Sequence, residues 1–198
     1  MKQQVIFIHW WVSKDNYIDF SEYLEKFIYE PFKVKPKKWK MTLKEDLGNE
    51  FEVFMPDMPN NDFADYNEWK IMFEKVLPFL DNNVILIWHS LGWTFLCKYL
   101  EENKFSYEIK KILIVAWAFE DDEIEVLWNF NFNINTLKKY EDKISFYHSK
   151  DDFVVNFSDL EKFKDKLPNA DYKIFENKWH FIEETFSELI NYIKKIVK

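Results

Sequence analysis

Glycine is almost absent from this chain: 2 of 198 residues, where average usage near 7% would give roughly 14. Turns and loops that need φ > 0 have few natural occupants here, and a glycine-rich nucleotide cradle is excluded. Arginine is missing altogether. All 27 basic positions are lysine, and 35 acidic residues leave a formal net charge of −8, which argues against nucleic acid or an anionic membrane as partner. One cysteine, Cys97, excludes an internal disulfide and suits a reducing compartment. No apolar run approaches the roughly 18 residues of a membrane helix, and the first, residues 5–8, is too short for a signal peptide and lacks a small-residue cleavage site. The expectation is a soluble, cytoplasmic protein.

What the chain does have is apolar bulk, 47% hydrophobic and 20% aromatic, ample for the core of one domain over residues 1–198. Short β-branched or aromatic runs alternate with stretches of helical period, the pattern of βαβ units. Six strands are predicted, at residues 4–8, 51–54, 84–88, 112–115, 144–147 and 172–175. The run at 112–115 is apolar without alternation, as a strand covered on both faces should be. Tyr66, Trp69, Phe73, Val76 and Leu77 recur at helical spacing, with Asp65 and Glu68 placed as an N-cap and its reciprocal partner. A C-terminal helix is expected to start at Glu183 and Glu184, bury Ile182, Phe186, Leu189, Ile190, Ile193 and Val197, and end in lysines. The fold class is α/β, a three-layer αβα arrangement on a mostly parallel six-stranded sheet.

In open α/β sheets ligands bind at the carboxyl ends of the strands. Three predicted strand exits carry reactive side chains. The third runs into Trp88-His89-Ser90-Leu91-Gly92 and then a helix; the fifth ends in His148-Ser149-Lys150-Asp151-Asp152; the sixth is followed by Trp179-His180-Phe181. A serine hydroxyl needs a base to become a nucleophile, and the base needs a third group to hold its tautomer. Ser90, His180 and Asp152 can fill those roles, with Asp151 the immediate rival of Asp152. Their order, Ser, Asp, His, is that of α/β-hydrolases. The helix after Ser90 puts the Leu91 N–H where an oxyanion would form. His9, His89 and His148 are read as loop-supporting or solvent-facing. No two of the four histidines have metal-ligand spacing, so neither metal nor cofactor is implied. The lysine cluster KVKPKKWK, residues 33–40, is read as a solvated loop rather than an anion site, and Cys97 as a small buried residue.

His9 at the first strand end, MPDMPN at 55–60, HSLG at 89–92, SKDDFVV at 149–155 and HF at 180–181 together resemble the small serine hydrolases related to retinoblastoma-binding protein 9 and bacterial YdeN. The resemblance runs through nearly the whole chain. It implies a minimal α/β-hydrolase of strand order 2-1-3-4-5-6 without a large lid, a Ser90–Asp152–His180 triad, and a second oxyanion donor from the backbone at Trp10 or Trp11. Such enzymes often carry cap elements after the fourth strand, where Trp128, Phe130 and Phe132 either line an acyl pocket or cover the core edge.

The glycine deficit returns at this point. Trp10, Trp88, Trp93, Trp117 and Trp179 stand where the family pattern has glycine. Independent replacement of the smallest residue by the largest is costly, about 1–3 kcal/mol per overpacked site against a total stability of about 5–15 kcal/mol. A difference of genetic code explains it more economically, because UGA is glycine in some bacteria and tryptophan in other code tables. Trp69, inside a regular amphipathic pattern, reads as a true tryptophan; Trp11, Trp39 and Trp128 are not assigned by this argument. The sequence therefore points to a serine hydrolase, carboxylesterase-like, acting on a small-molecule acyl substrate. The competing expectation is an impaired hydrolase-fold binding protein. Substrate identity and oligomeric state are not readable from the residues.

Overall fold

The computed structural model describes residues 1–9, 13–14, 16–34, 36–90, 92–117 and 129–197. Its strands are β1 (Gln3–His9), β2 (Phe51–Phe54), β3 (Val84–His89), β4 (Ile109–Val115), β5 (Ile144–Ser149) and β6 (Asp171–Phe175). They form one sheet of order β2-β1-β3-β4-β5-β6, and every neighbouring pair is parallel. The order β2-β1-β3 places β1 and β3 side by side, with His9 paired in register with His89. The two strands that carry the first and third predicted exits thus end at the same level.

The predicted apolar runs form strands because both faces of the sheet are covered. On one face lie Ile6, Ile8, Leu86, Trp88, Ile112, Ile114, Ile144 and Phe146, packed under α3 (Tyr66–Glu74), α4 (Gly92–Glu102) and α5 (Asp159–Lys166). The alternate residues Val5, Phe7, Ile85, Ile87, Leu113, Val115 and Tyr147 meet α2 (Trp39–Leu47) and α6 (Ser187–Val197). Side chains alternate with period 2, so a strand apolar at every position must be buried on both sides. A further helix, α1 (Tyr17–Lys26), buries none of its residues.

Two helix boundaries differ from expectation. α6 starts at Ser187, and the acidic residue of its first turn is Glu188. Glu183 lies before it and is drawn out of the helix by two contacts: its carboxylate pairs with Lys178 at 2.9 Å, and its carbonyl accepts from the Trp39 N–H. α3 ends at Glu74, and Leu77 belongs to a separate 3₁₀ turn with Pro78 inside it. At the other end of α3, Asp65 caps as expected, accepting from the N–H groups of Asn67 and Glu68. Glu68 does not reach back to the cap; its carboxylate accepts instead from Asn60 Nδ2 at 2.7 Å. Asp65 also accepts from Asn129 Nδ2 at 2.8 Å, tying α3 to the segment that leads to β5. Asp65→Ala is expected to lower stability by about 1 kcal/mol, read as a lower urea midpoint with unchanged slope. An unchanged midpoint would show that the cap carries no stability.

Candidate active site

Ser90 follows β3 directly and has φ 57°, in the left-handed region that a side chain occupies only under constraint. Two neighbours impose it. The Ser90 N–H donates to the Val115 carbonyl at 3.0 Å, at the end of the adjacent strand β4. Gly92, the first residue of α4, lies so close to β1 that a Cβ there would sit 3.1 Å from the Ile8 carbonyl oxygen. The chain must therefore turn sharply at Ser90, and its side chain stands at the top of the sheet, 6% exposed.

His180 comes to meet it from the loop after β6. Asp152 Oδ2 lies 2.9 Å from His180 Nδ1, and His180 Nε2 lies 3.1 Å from Ser90 Oγ. A carboxylate only accepts, so Nδ1 carries the proton and Nε2 is left to accept from the serine hydroxyl. Asp152 is fixed in turn: its Oδ1 accepts from the N–H groups of Val154 and Val155, and its side chain is fully buried. The rival Asp151 points elsewhere. It accepts from Ser149 Oγ at 2.6 Å and from the Trp179 N–H at 2.9 Å, while Ser149 Oγ accepts from the Lys178 N–H. These bonds hold the Asp151 carboxyl below its usual range, the one from Ser149 foremost. One aspartate faces the imidazole; the other staples the loop that carries it.

The start of α2 holds the same loop from the opposite side. Trp39 Nε1 donates to the Phe181 carbonyl at 2.8 Å. His89 Nε2 donates to the His180 carbonyl at 3.0 Å, which leaves its Nδ1 as an acceptor facing Lys40 Nζ at 3.5 Å. Lys40 Nζ also lies 3.0 Å from His9 Nδ1. Burial, then nearby Lys38, push the Lys40 amine down to about 6. Burial first and Lys40 second push His9 down to about 3, and the same causes hold His89 well below its ordinary value. His89 is thus a neutral imidazole that supports the His180 loop, as expected of it.

Other expectations divide. Leu91, Trp10, Trp11 and Trp128 lie outside the described residues. His148 neither supports a loop nor meets solvent: it is fully buried against Trp117 and Phe157, with no hydrogen bond to either ring nitrogen among the described residues. Phe130 belongs to the core, edge-on to Tyr66 and Trp69, and Phe132 packs on Trp93. Phe130 thus lies within the core and Phe132 packs against it from the edge. Cys97 is buried, as expected. The lysine cluster is not wholly solvated: Lys33 and Lys37 are exposed, but Lys40 is 3% exposed and lines a cavity. Trp39 and Lys40 were missed as site-supporting residues; the apolar spacing of Trp39, Leu43 and Leu47 was the available signal. Among the described residues no group of three or more His, Cys, Asp or Glu could hold a metal, and no helix is long and apolar enough to cross a membrane.

A parallel sheet of this order, with a left-handed serine between its third strand and the following helix, defines an α/β-hydrolase-type fold. Residues 33–184 match the family model described as "Serine hydrolase", and the chain belongs to that family. Its fold is similar to the crystal structure of the ydeN gene product of B. subtilis, with a TM-score of 0.68, 17% identity and 99% of each chain covered. It is also similar to the methylesterase MES16 from Arabidopsis (TM-score 0.62, 12% identity, 98% of each chain). Est1E from Butyrivibrio proteoclasticus is a third (TM-score 0.58, 14% identity, 99% of this chain and 87% of that one). No relative among curated protein sequences matches the chain.

The lowered Lys40 value makes a prediction about stability. An unfolded lysine binds its proton up to about pH 10.5 and the folded one only to about 6, so between these values the unfolded state holds more protons. Stability should therefore rise with pH across that window, and Lys40→Met should flatten the rise in thermal melts. Equal slopes in the two proteins would contradict the buried amine.

Proposed function

We propose that this protein is a carboxylesterase-like serine hydrolase that cleaves a small-molecule ester through an acyl-enzyme on Ser90. The observation that carries the reading is the unbroken line from Ser90 Oγ through His180 to the buried Asp152 carboxylate, at 3.1 and 2.9 Å. Esterases among the proteins of similar fold support it. Ser90 Oγ attacks the ester carbonyl carbon while its proton passes to His180 Nε2, and Asp152 stabilises the imidazolium. Collapse of the tetrahedral intermediate breaks the bond to the alcohol oxygen, which takes the proton from His180. Water then attacks the acyl-enzyme with His180 again as base, releasing the acid and restoring the Ser90 hydroxyl. The Ser90 N–H is engaged with Val115, so it is not free for the oxyanion. The donors in this proposal are the N–H groups of Leu91 and of Trp10 or Trp11. Hydrolysis of a p-nitrophenyl ester is expected to vanish in Ser90→Ala and to lose about 10⁴-fold in kcat in Asp152→Asn. Asp151→Asn should lose far less. Full activity in Asp152→Asn would overturn the assignment.

A second reading, a binding protein that keeps the hydrolase fold, is favoured by Trp88 and Trp179 flanking the nucleophile turn and the histidine. The described tryptophans themselves argue against it, because they differ in how their side chains are accommodated. Trp39 and Trp69 donate their indole N–H to the carbonyls of Phe181 and Pro59. Trp88 and Trp117 are fully buried with indole nitrogens that find no partner among the described residues. Such an orphan costs about 1–3 kcal/mol each. Trp179 has φ 49° and is 57% exposed, a conformation and a position that suit glycine. Trp93 packs on Phe132 and Phe163 and carries no such mark. In our reading positions 10, 88, 93, 117 and 179 are glycine in the native host, encoded by UGA. The coding DNA is expected to show UGA at these codons and UGG at 39 and 69. UGG at all of them would remove the explanation and leave the binding-protein reading.

A further inference from the structure

α1 has the sequence of a helix that packs and the surroundings of one that does not. Tyr17, Phe20, Leu24 and Phe27 recur at spacings of three and four, which sets them along one side of the helix and its C-cap. Yet α1 buries none of its residues. The exposure continues past its end, where Phe27 is 54%, Ile28 79%, Tyr29 77% and Phe32 94% exposed. Between Tyr17 and Val34 nine large apolar side chains meet solvent, and five of them are aromatic. At about 150–250 Å² per aromatic side chain, those five alone leave on the order of 700 Å² in water, above the roughly 300–600 Å² of the largest patch on a typical monomer. The four aliphatic side chains bring the patch to at least the roughly 800 Å² that each partner buries in a stable interface.

The charges along the same stretch are divided by sign. Residues 16–25 hold Asp19, Glu22 and Glu25 and no base, whereas residues 26–37 hold four lysines and one glutamate. We propose that this stretch is a self-association face, on which a second copy of the chain packs its own α1 antiparallel about a two-fold axis. The acidic half of each copy then meets the lysine half of the other, twice over, as an isologous contact requires. A parallel arrangement would set like charge on like, and an anionic membrane would attract one half and repel the other. The middle of the stretch falls at the axis, so Phe27 and Ile28 come together with their counterparts and leave water. The ion pairs within each chain, Lys26 with Glu22 and Lys33 with Glu30, are exposed at both partners. Exposed pairs contribute little stability, so exchanging them across the interface costs little.

Sedimentation equilibrium of the full chain tests the face without reading turnover, so its outcome is independent of the serine hydrolase reading. A dimer is expected at micromolar concentration. Phe27→Glu combined with Ile28→Glu should weaken it about tenfold or more, with an unchanged far-ultraviolet circular dichroism spectrum because neither side chain is buried. Charge reversal supplies the second pair of variants. Glu22→Lys with Glu25→Lys makes the stretch basic in both halves, and Lys33→Glu with Lys37→Glu makes it acidic in both. Each of these proteins alone should self-associate about tenfold or more weakly than the unmutated chain, and mixing the two should restore the dimer. A chain that stays monomeric at every concentration overturns the proposal, whether or not it sediments with vesicles of phosphatidylcholine and phosphatidylglycerol. So does a dimer that the Phe27 and Ile28 substitutions leave intact, or a mixture that associates no more tightly than its components.

Discussion

The left-handed backbone at Ser90 is the constraint on which the rest of the site depends. It costs roughly 1–2 kcal/mol for a residue with a side chain, and it persists because the structure on both sides over-determines it. The amide of Ser90 is held by the end of β4, and Gly92 brings α4 against β1 at a distance where no Cβ fits without displacing backbone. Strand pairing and helix packing thus set the turn, and the turn sets where Oγ points. Related strain recurs at the same edge of the sheet: Ala116 after β4, and Trp179 and Phe181 on either side of His180, also have positive φ.

A serine so placed needs its imidazole held as firmly, and the polar groups around His180 accomplish this from three directions. Asp152 fixes the tautomer, Asp151 and Ser149 gather the backbone of residues 178 and 179, and the loop carbonyls are taken by His89 at the end of β3, which meets His180, and by Trp39 of α2, which meets Phe181 and Glu183. Buried polar groups are destabilising unless they are satisfied, so these contacts remove a penalty and define a geometry together. The basic cluster of His9, His89 and Lys40 sits within the same structure. Its proximity to the loop explains why a hydrolase fold would tolerate a lysine at 3% exposure: the side chain supports His89 while facing a cavity.

Much of this was legible in the residues. Apolar runs such as residues 84–88 and 112–115 announce doubly covered strands, and Ser90, Asp152 and His180 were visible as reactive side chains at strand exits. Asp152 and Asp151 compete in the sequence as neighbours, and the structure separates the two by which atoms they face. Less readable were features set by tertiary contacts. Glu183 has every local reason to begin a helix, but Lys178 and Trp39 compete for it. α1 presents Ile18 and Leu24 to solvent, so its period does not mark a core face. Lys40 looks like its exposed neighbours until α2 turns it beneath the sheet edge. The tryptophans show the opposite case, where pattern in the sequence anticipated an anomaly that the fold then expresses as orphaned indole nitrogens at 88 and 117 and a left-handed backbone at 179.

The central claim is that Ser90 is an activated nucleophile. Reaction with a fluorophosphonate followed by peptide mass spectrometry tests it most directly, because the reagent bonds only to a hydroxyl whose proton a base can take. The account predicts a single adduct on Ser90, lost in His180→Ala while that protein remains folded. Folded, unmutated protein left unmodified, or an adduct on another residue, would contradict it.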